Sequence, residues 1–386
     1  MKQITITVLM AFFVDLEVFA ERVDLREAGV DNQEALKNTE IINNTINRLN
    51  KAGGGTLFFP SGDYLTASIH MKSNITLELE AGATLRFSDN FDDYMPFVEM
   101  RHEGVMMKSF QPLIYATDAE NITIKGEGKL DGQGKAWWKE FFRVLIDLRD
   151  NGKRDINKYQ PLLEQANDMK TLYAETNVDW HSTLDRRFLR PPFIQPLRCR
   201  NVRIEGITIV NSPFWTVNPN FCDNVTVKGV TINNVPSPNT DGINPESCSN
   251  VHISDCHISV GDDCITIKSG RDLQARKIGR PCENITITNC TMLSGHGGVV
   301  IGSEMSGGVK KVTISNCVFD GTDRGIRIKS TRGRGGVVED IRVSNVVMSD
   351  IKREAVVLNL KYSQMKMEKK SERTPVFRNI FVTGLT

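Results

Sequence analysis

One short pattern recurs through the second half of this chain: polar, apolar, polar, Ile or Val, two small or polar residues, then apolar again. Copies start at Asn201, Asn224, Asn250, Asn284, Lys311 and Asp340, which are 23, 26, 34, 27 and 29 residues apart. Weaker copies start at Asn74, Asn121 and Asn379. Alternation with period two reads as strand. The spacing is too regular for a sandwich, and the chain lacks the helical period of ankyrin or tetratricopeptide arrays. In a solenoid, equivalent residues of successive coils stack about 4.8 Å apart, the interstrand distance of a sheet. Columns can therefore be read directly. Ile207, Val230, Cys256, Cys290, Cys317 and Val346 form an inward column, and Asn201, Asn224, Asn250 and Asn284 form an amide ladder at a turn. The expected fold is all-β, a right-handed parallel β-helix.

A second strand in each coil registers on a shared serine: Ser247, Ser269, Ser303 and Ser330. Reading back from it, Pro245, Ile267, Ile301 and Ile328 make one inward column, and Ile243, Ile265, Val299 and Ile326 another. Residues between them face outward: Asn244, Thr266, Val300 and Arg327, and beside them Glu246, Lys268, Gly302 and Lys329. At the entry of these strands Asp241 and Asp263 share a column on adjacent coils, and Asp262 and His296 share the column before it. Like charges stacked this closely raise one another's pKa and are costly unless used or neutralised. Asp and Gly also populate ordinary turns before strands, which accounts for one such Asp. It does not account for three acids, a His and an Arg/Lys pair on one face of four successive coils.

At these residues the chain resembles the polygalacturonases of glycoside hydrolase family 28. The four family segments occur in order as Asn239-Thr240-Asp241, Gly261-Asp262-Asp263, Gly295-His296-Gly297 and Arg327-Ile328-Lys329. The resemblance implies hydrolysis of α-1,4 bonds between galacturonic acid residues with inversion. On that basis Asp262 is the general acid, and Asp241 and Asp263 hold and deprotonate the attacking water. His296 tunes the acid, while Arg327, Lys329, Asn239 and, with less support, Lys268 contact the carboxylated substrate. The repeat spacing alone does not choose inversion over retention. Trp215 has two open readings, stacking on a sugar ring or packing at a coil turn. No metal or other cofactor is implied. Pectate lyases, which share the helix, depend on calcium and an arginine base. Further alternatives are an endo-polygalacturonase, another pectin-backbone hydrolase, and a non-enzymatic glycan-binding β-helix.

A formal net charge of +1 neither attracts nor repels a polyanion, so selectivity must be local. The expected partner is a pectic polysaccharide or oligogalacturonide, with no nucleic acid, no membrane span and a monomeric chain. Residues 1–20, with Lys2, the apolar run Ile4–Val14 and Ala20, read as a signal peptide, making the protein secreted or periplasmic. Residues 21–386 read as one β-helix domain interrupted by a helical insertion at about 135–195. A helix within Asp31–Lys51, ending at Gly53-Gly54-Gly55, caps the solenoid. Asn379–Thr386 reads as the start of another coil, so either the natural chain continues or a cap is lacking. Of eight cysteines, Cys256, Cys290 and Cys317 belong to the inward column and Cys264 is read as packing. A bridge between two of Cys199, Cys222, Cys248 and Cys282 stays open. Within the insertion, Trp137, Trp138, Phe141, Phe142, Leu145 and Leu148 make an amphipathic stretch, and the run to Trp180-His181 is placed to wall one end of the groove. With Gly302–Gly308, which looks like bacterial exo-acting relatives, this favours exo action.

Overall fold

A computed structural model describes residues 21–151, 190–362 and 368–386. The expected signal peptide and the Trp180-His181 part of the insertion lie outside the described residues.

The described chain winds into a parallel β-helix with three faces. The first face carries Gly55–Phe59, Ile75–Leu79, Glu120–Gly126, Arg200–Glu205, Asp223–Lys228, Ser249–Ser254 and Cys282–Thr288 in successive register. The second carries Gly62–Thr66, Ala83–Phe87, Lys129–Asp131, Thr208–Val210, Thr231–Asn233 and His257–Ser259. The third runs Ile69–His70, Ile114–Thr117 and Ile194–Leu197, then single bridges at Val217 and Ile243, then Asp263–Ile267, Gly297–Gly302, Ile326–Lys329 and Val356–Asn359. This third face positions the acids.

The serine-based register holds: Ile265 pairs with Val299 and Val299 with Ile326, while Ile267 pairs with Ile301 and Ile301 with Ile328. The inward column from Ile207 to Val346 is buried throughout. Each such aliphatic side chain contributes roughly 1.5–3 kcal/mol by leaving water. At the corner before each first-face strand the backbone needs a left-handed residue. Asn74, Asn121, Asn201, Asn224, Asn250 and Asn284 all have φ between 55° and 61°. Asn tolerates that conformation better than most residues, and its amide donates to the amide oxygen one coil back at 2.7–3.2 Å. The ladder thus satisfies side chains and fixes coil register together.

Helix α1, Ala35–Lys51, falls within the expected Asp31–Lys51 span and covers the first coils with Ile42, Ile46 and Leu49. Its end is closed by Gly54, whose N–H reaches the Leu49 carbonyl at 2.9 Å with φ 137°. Helix α2, Lys135–Asn151, opens the insertion and buries Trp137, Phe141 and Val144, leaving Phe142 exposed. All eight cysteines are buried thiols, so no bridge joins the turn-proximal set. The Cys222 and Cys248 N–H groups instead lie 3.4 Å from the sulfurs of Cys248 and Cys282, one coil on. Among the described residues no helix is long and apolar enough to cross a membrane.

A further element departs from the repeat. An antiparallel hairpin, Val98–His102 with Val105–Ser109, leaves the solenoid and lies on its third face.

Candidate active site

The entry of the third-face strands brings the three acids together. Oxygens of Asp241, Asp262 and Asp263 lie within 4.8 Å of one another. Asp263 pairs with Gly297 one coil on, which places Asp262 beside His296 as the columns require. The glycines around His296 have a steric reason. Gly295 has φ 154°, and a Cβ there would stand 2.6 Å from the Asp262 carbonyl oxygen. A Cβ at Gly297 would stand 2.5 Å from a Val300 methyl and 3.4 Å from Asp263 Oδ1.

The acids differ in surroundings. The Asp241 and Asp263 side chains are 3 % and 1 % exposed, and that of Asp262 is 16 % exposed. Asp241 Oδ2 accepts from Asn244 Nδ2 at 3.0 Å and lies 3.7 Å from Lys268 Nζ. Burial, reinforced by Asp262 and Asp263 and opposed by Lys268 and Lys329, pushes its pKa up to about 8. Because the three carboxylates interact, that proton affinity belongs to the group rather than to one residue. Asp263 Oδ2 accepts from Lys329 Nζ at 2.6 Å, while its buried Oδ1 has no hydrogen-bond partner among the described residues. Asp262 Oδ2 accepts from Asn239 Nδ2 at 3.2 Å. Its Oδ1 accepts from the Asp263 N–H at 2.9 Å and lies 3.1 Å from His296 Nδ1. That hydrogen bond is the main reason the His296 pKa is raised. On distance alone the trio would accommodate a cation. Lys268 and Lys329 already bring two positive charges to it, which balances the site electrostatically.

Two sequence expectations change. Trp215 is 3 % exposed, stacks on Phe214 at 5.1 Å and carries Lys268 Nζ 4.4 Å above its ring. It has no open face for a sugar, so packing is the correct reading. Lys268 faces outward from the sheet, yet only 4 % of its side chain is exposed. Glu304 lies 3.0 Å from it. Burial works against its charge, but Glu304, Asp241 and Asp263 outweigh that and raise its pKa. It is an internal counter-charge rather than a surface contact for substrate. Arg327 is half-buried, and Lys329 is buried against Asp263.

The sequence reading missed several residues here. Tyr362 stands with its ring centroid 5.5 Å from the Arg327 guanidinium and 5.0 Å from Lys329 Nζ. Lys329 pairs with Asn359, so following that column one coil on leads to within three residues of Tyr362. Glu304 links Lys268 to Arg334 at 3.2 Å, and Asp272 lies 4.0 Å from Arg334 and 3.5 Å from Arg271. Lys268 and Arg334 outweigh burial and hold Glu304 well below the usual carboxylate range. Arg271 pairs with Glu103 of the hairpin at 3.6 Å. The hairpin is pinned further by Arg101, whose Nη1 donates to Ser247 at 3.0 Å and whose Nε lies 3.5 Å from Glu246. Gln195 Nε2 donates to the Arg101 carbonyl at 2.8 Å, and His102 stacks on Phe214 at 4.8 Å. The outward residues of the coils preceding the acids are therefore covered.

The model of glycosyl hydrolases family 28 matches residues 178–386, and the chain belongs to that family. It is 32 % identical over 334 residues to a probable polygalacturonase of Vitis vinifera, covering 84 % of this chain and 60 % of the relative. It is 27 % identical to an exo-poly-alpha-D-galacturonosidase of Dickeya chrysanthemi, covering 88 % of this chain and 57 % of the relative. The chain thus spans about three-fifths of the length of these curated relatives. The crystal structure of a hyperthermoactive exopolygalacturonase from Thermotoga maritima is similar with a TM-score of 0.81 and 35 % identity, covering 96 % of this chain and 81 % of that one.

Proposed function

We propose that this protein hydrolyses α-1,4-galacturonosidic bonds of polygalacturonate from a chain end, releasing galacturonic acid, with inversion and outside the cytoplasm. The carrying observation is the division within the acid trio. Only Asp262 reaches the surface, so it is the member able to hand a proton to a glycosidic oxygen. The raised proton affinity centred on Asp241 keeps one proton in the group near neutrality. Asp263 is held by Lys329 through one oxygen, and the other, buried and without a hydrogen-bond partner among the described residues, would accept the proton of an attacking water admitted between the acids. Asp241 backs the same water from the adjacent coil.

His296 and Asn239 steady Asp262 after it has lost its proton. Arg327 and Tyr362 stand where the carboxylate of a galacturonic unit would be received, with Lys329 behind them. The closest acid oxygens lie nearer than the roughly 6.5–9.5 Å usual for inverting enzymes, so inversion rests on the family resemblance and not on this spacing. Exo action is supported by the hairpin, which covers the coils on one side of the acids. A monomer is proposed because each coil buries its own section of core.

The test is the early product profile on polygalacturonate, with proton NMR of the first anomer released. Monogalacturonate in the β-configuration supports the full reading. Mixed oligomers would overturn exo action, and an α-product would overturn inversion. A wild-type protein that binds oligogalacturonide without releasing reducing ends would point to a glycan-binding β-helix.

A further inference from the structure

We propose that Arg190, held by the insertion helix, is a positioning residue for the general acid: it locks the Asn239 amide so that its NH2 is presented to Asp262. Arg190 is 1 % exposed. Its Nη2 donates to Asn239 Oδ1 at 2.8 Å, and its Nη1 donates to the Pro238 carbonyl at 2.6 Å and the Pro213 carbonyl at 3.4 Å. Its guanidinium lies 4.0 Å from the ring centroid of Phe141 in α2 and 5.1 Å from that of Phe214.

The orientation of Asn239 follows from chemistry. A guanidinium has donors and no acceptor, so the amide atom facing it must be the oxygen. The NH2 is then the only group left for Asp262, and it lies 3.2 Å from Oδ2. Asn239 has φ 52°, a left-handed conformation, and Arg190 holds the Pro238 carbonyl of the peptide plane just before it. A free amide could turn its oxygen toward Asp262, replacing a donor by a repulsive acceptor. The insertion would thus reach the reacting bond through one buried cation.

This inference rests on Asp262 being the acid, so its test separates the two. Among the described residues, the titratable groups facing Asp262 include Asp241, Asp263, His296 and Lys329, with Asp323 beyond His296. All are retained in Arg190→Lys, which keeps the charge but not the fork that holds Pro238 and Asn239 together. Loss of a donor to the ionised form raises a carboxyl's proton affinity. The alkaline limb of kcat should therefore move up by roughly half a pH unit or more, with KM little changed and kcat down roughly tenfold or more. Asn239→Ala should show the same limb shift, and the double variant should be no worse than the worse single one. A carbon-13 titration of the aspartate carboxyls should show the shift without any turnover. A uniform loss of kcat at every pH, an unmoved carboxyl titration, or additive effects in the double variant would overturn the proposal. Wild-type protein with no hydrolase activity but a carboxyl titration that moves in Arg190→Lys would overturn the functional reading and leave the positioning role standing.

Discussion

The acid column and the hairpin beside it meet on one sheet face but are built by opposite means. Asp241, Asp262, Asp263 and His296 occupy repeat positions, so the backbone register of the coils alone brings them together. The hairpin Val98–Ser109 belongs to no coil. It is held by long side chains crossing large sequence separations, Arg101 to Ser247 and Glu246, and Glu103 to Arg271. Chemistry is therefore placed by the repeat, and access to it by buried charge.

The largest effect that tests this contrast is on the acid itself. Asp262→Asn should lower kcat by about 10³-fold or more while oligogalacturonide affinity, read by calorimetry, is kept; a fall in affinity with unchanged kcat would remove Asp262 from the chemistry. Next comes the hairpin. Arg101→Ala leaves Glu246 buried beside fewer cations and should cost about 3–5 kcal/mol in denaturant unfolding. If the hairpin also limits access, the same variant should begin to release oligomers in addition to monomer.

A smaller effect of opposite sign is expected at Asp241. Its folded pKa lies above its ordinary value, so the stability linked to it is complete below about pH 4 and is lost as pH rises to about 8. Asp241→Asn should be inactive, yet more resistant to heat than wild type at pH 8 by about 1–3 kcal/mol, with the gap closing by pH 4. Melting curves at the two pH values check this, and a gap widening toward acid would refute it. Smallest is the ladder. Asn224→Ala loses two amide contacts at a left-handed position and should cost about 1 kcal/mol without changing the product profile.

The same contrast explains what the sequence could tell. Coil columns were legible because a period-two strand and a left-handed residue, most often Asn, at the corner leave little freedom of register, and the four motifs sat on that grid. The outward direction of Lys268 was legible too, but not its enclosure, because Trp215 and Glu304 come from other coils. Arg190 and Arg101 gave no signal of their own, because a single arginine outside the repeat reads the same whether it faces water or a catalytic acid, and the Lys329 column led only to Asn359, three residues short of Tyr362. Glu304 was a partial exception, lying in the Gly302–Gly308 segment already singled out for its likeness to exo-acting relatives.

The asparagine ladder carries a broader consequence. Its rungs stay in register although the chain between them varies from 23 residues (Asn201 to Asn224) to 80 (Asn121 to Asn201). The molecule in effect measures azimuth rather than contour length. Extra chain, such as the short helix Asp272–Ile278 between Asn250 and Asn284, bulges at the rim while the next strand resumes at the same bearing. Such a scaffold allows the walls of its groove to be rewritten without moving the strand register that carries the acids, so a loop reaches them only through the side chains it sends in, as Arg190 does.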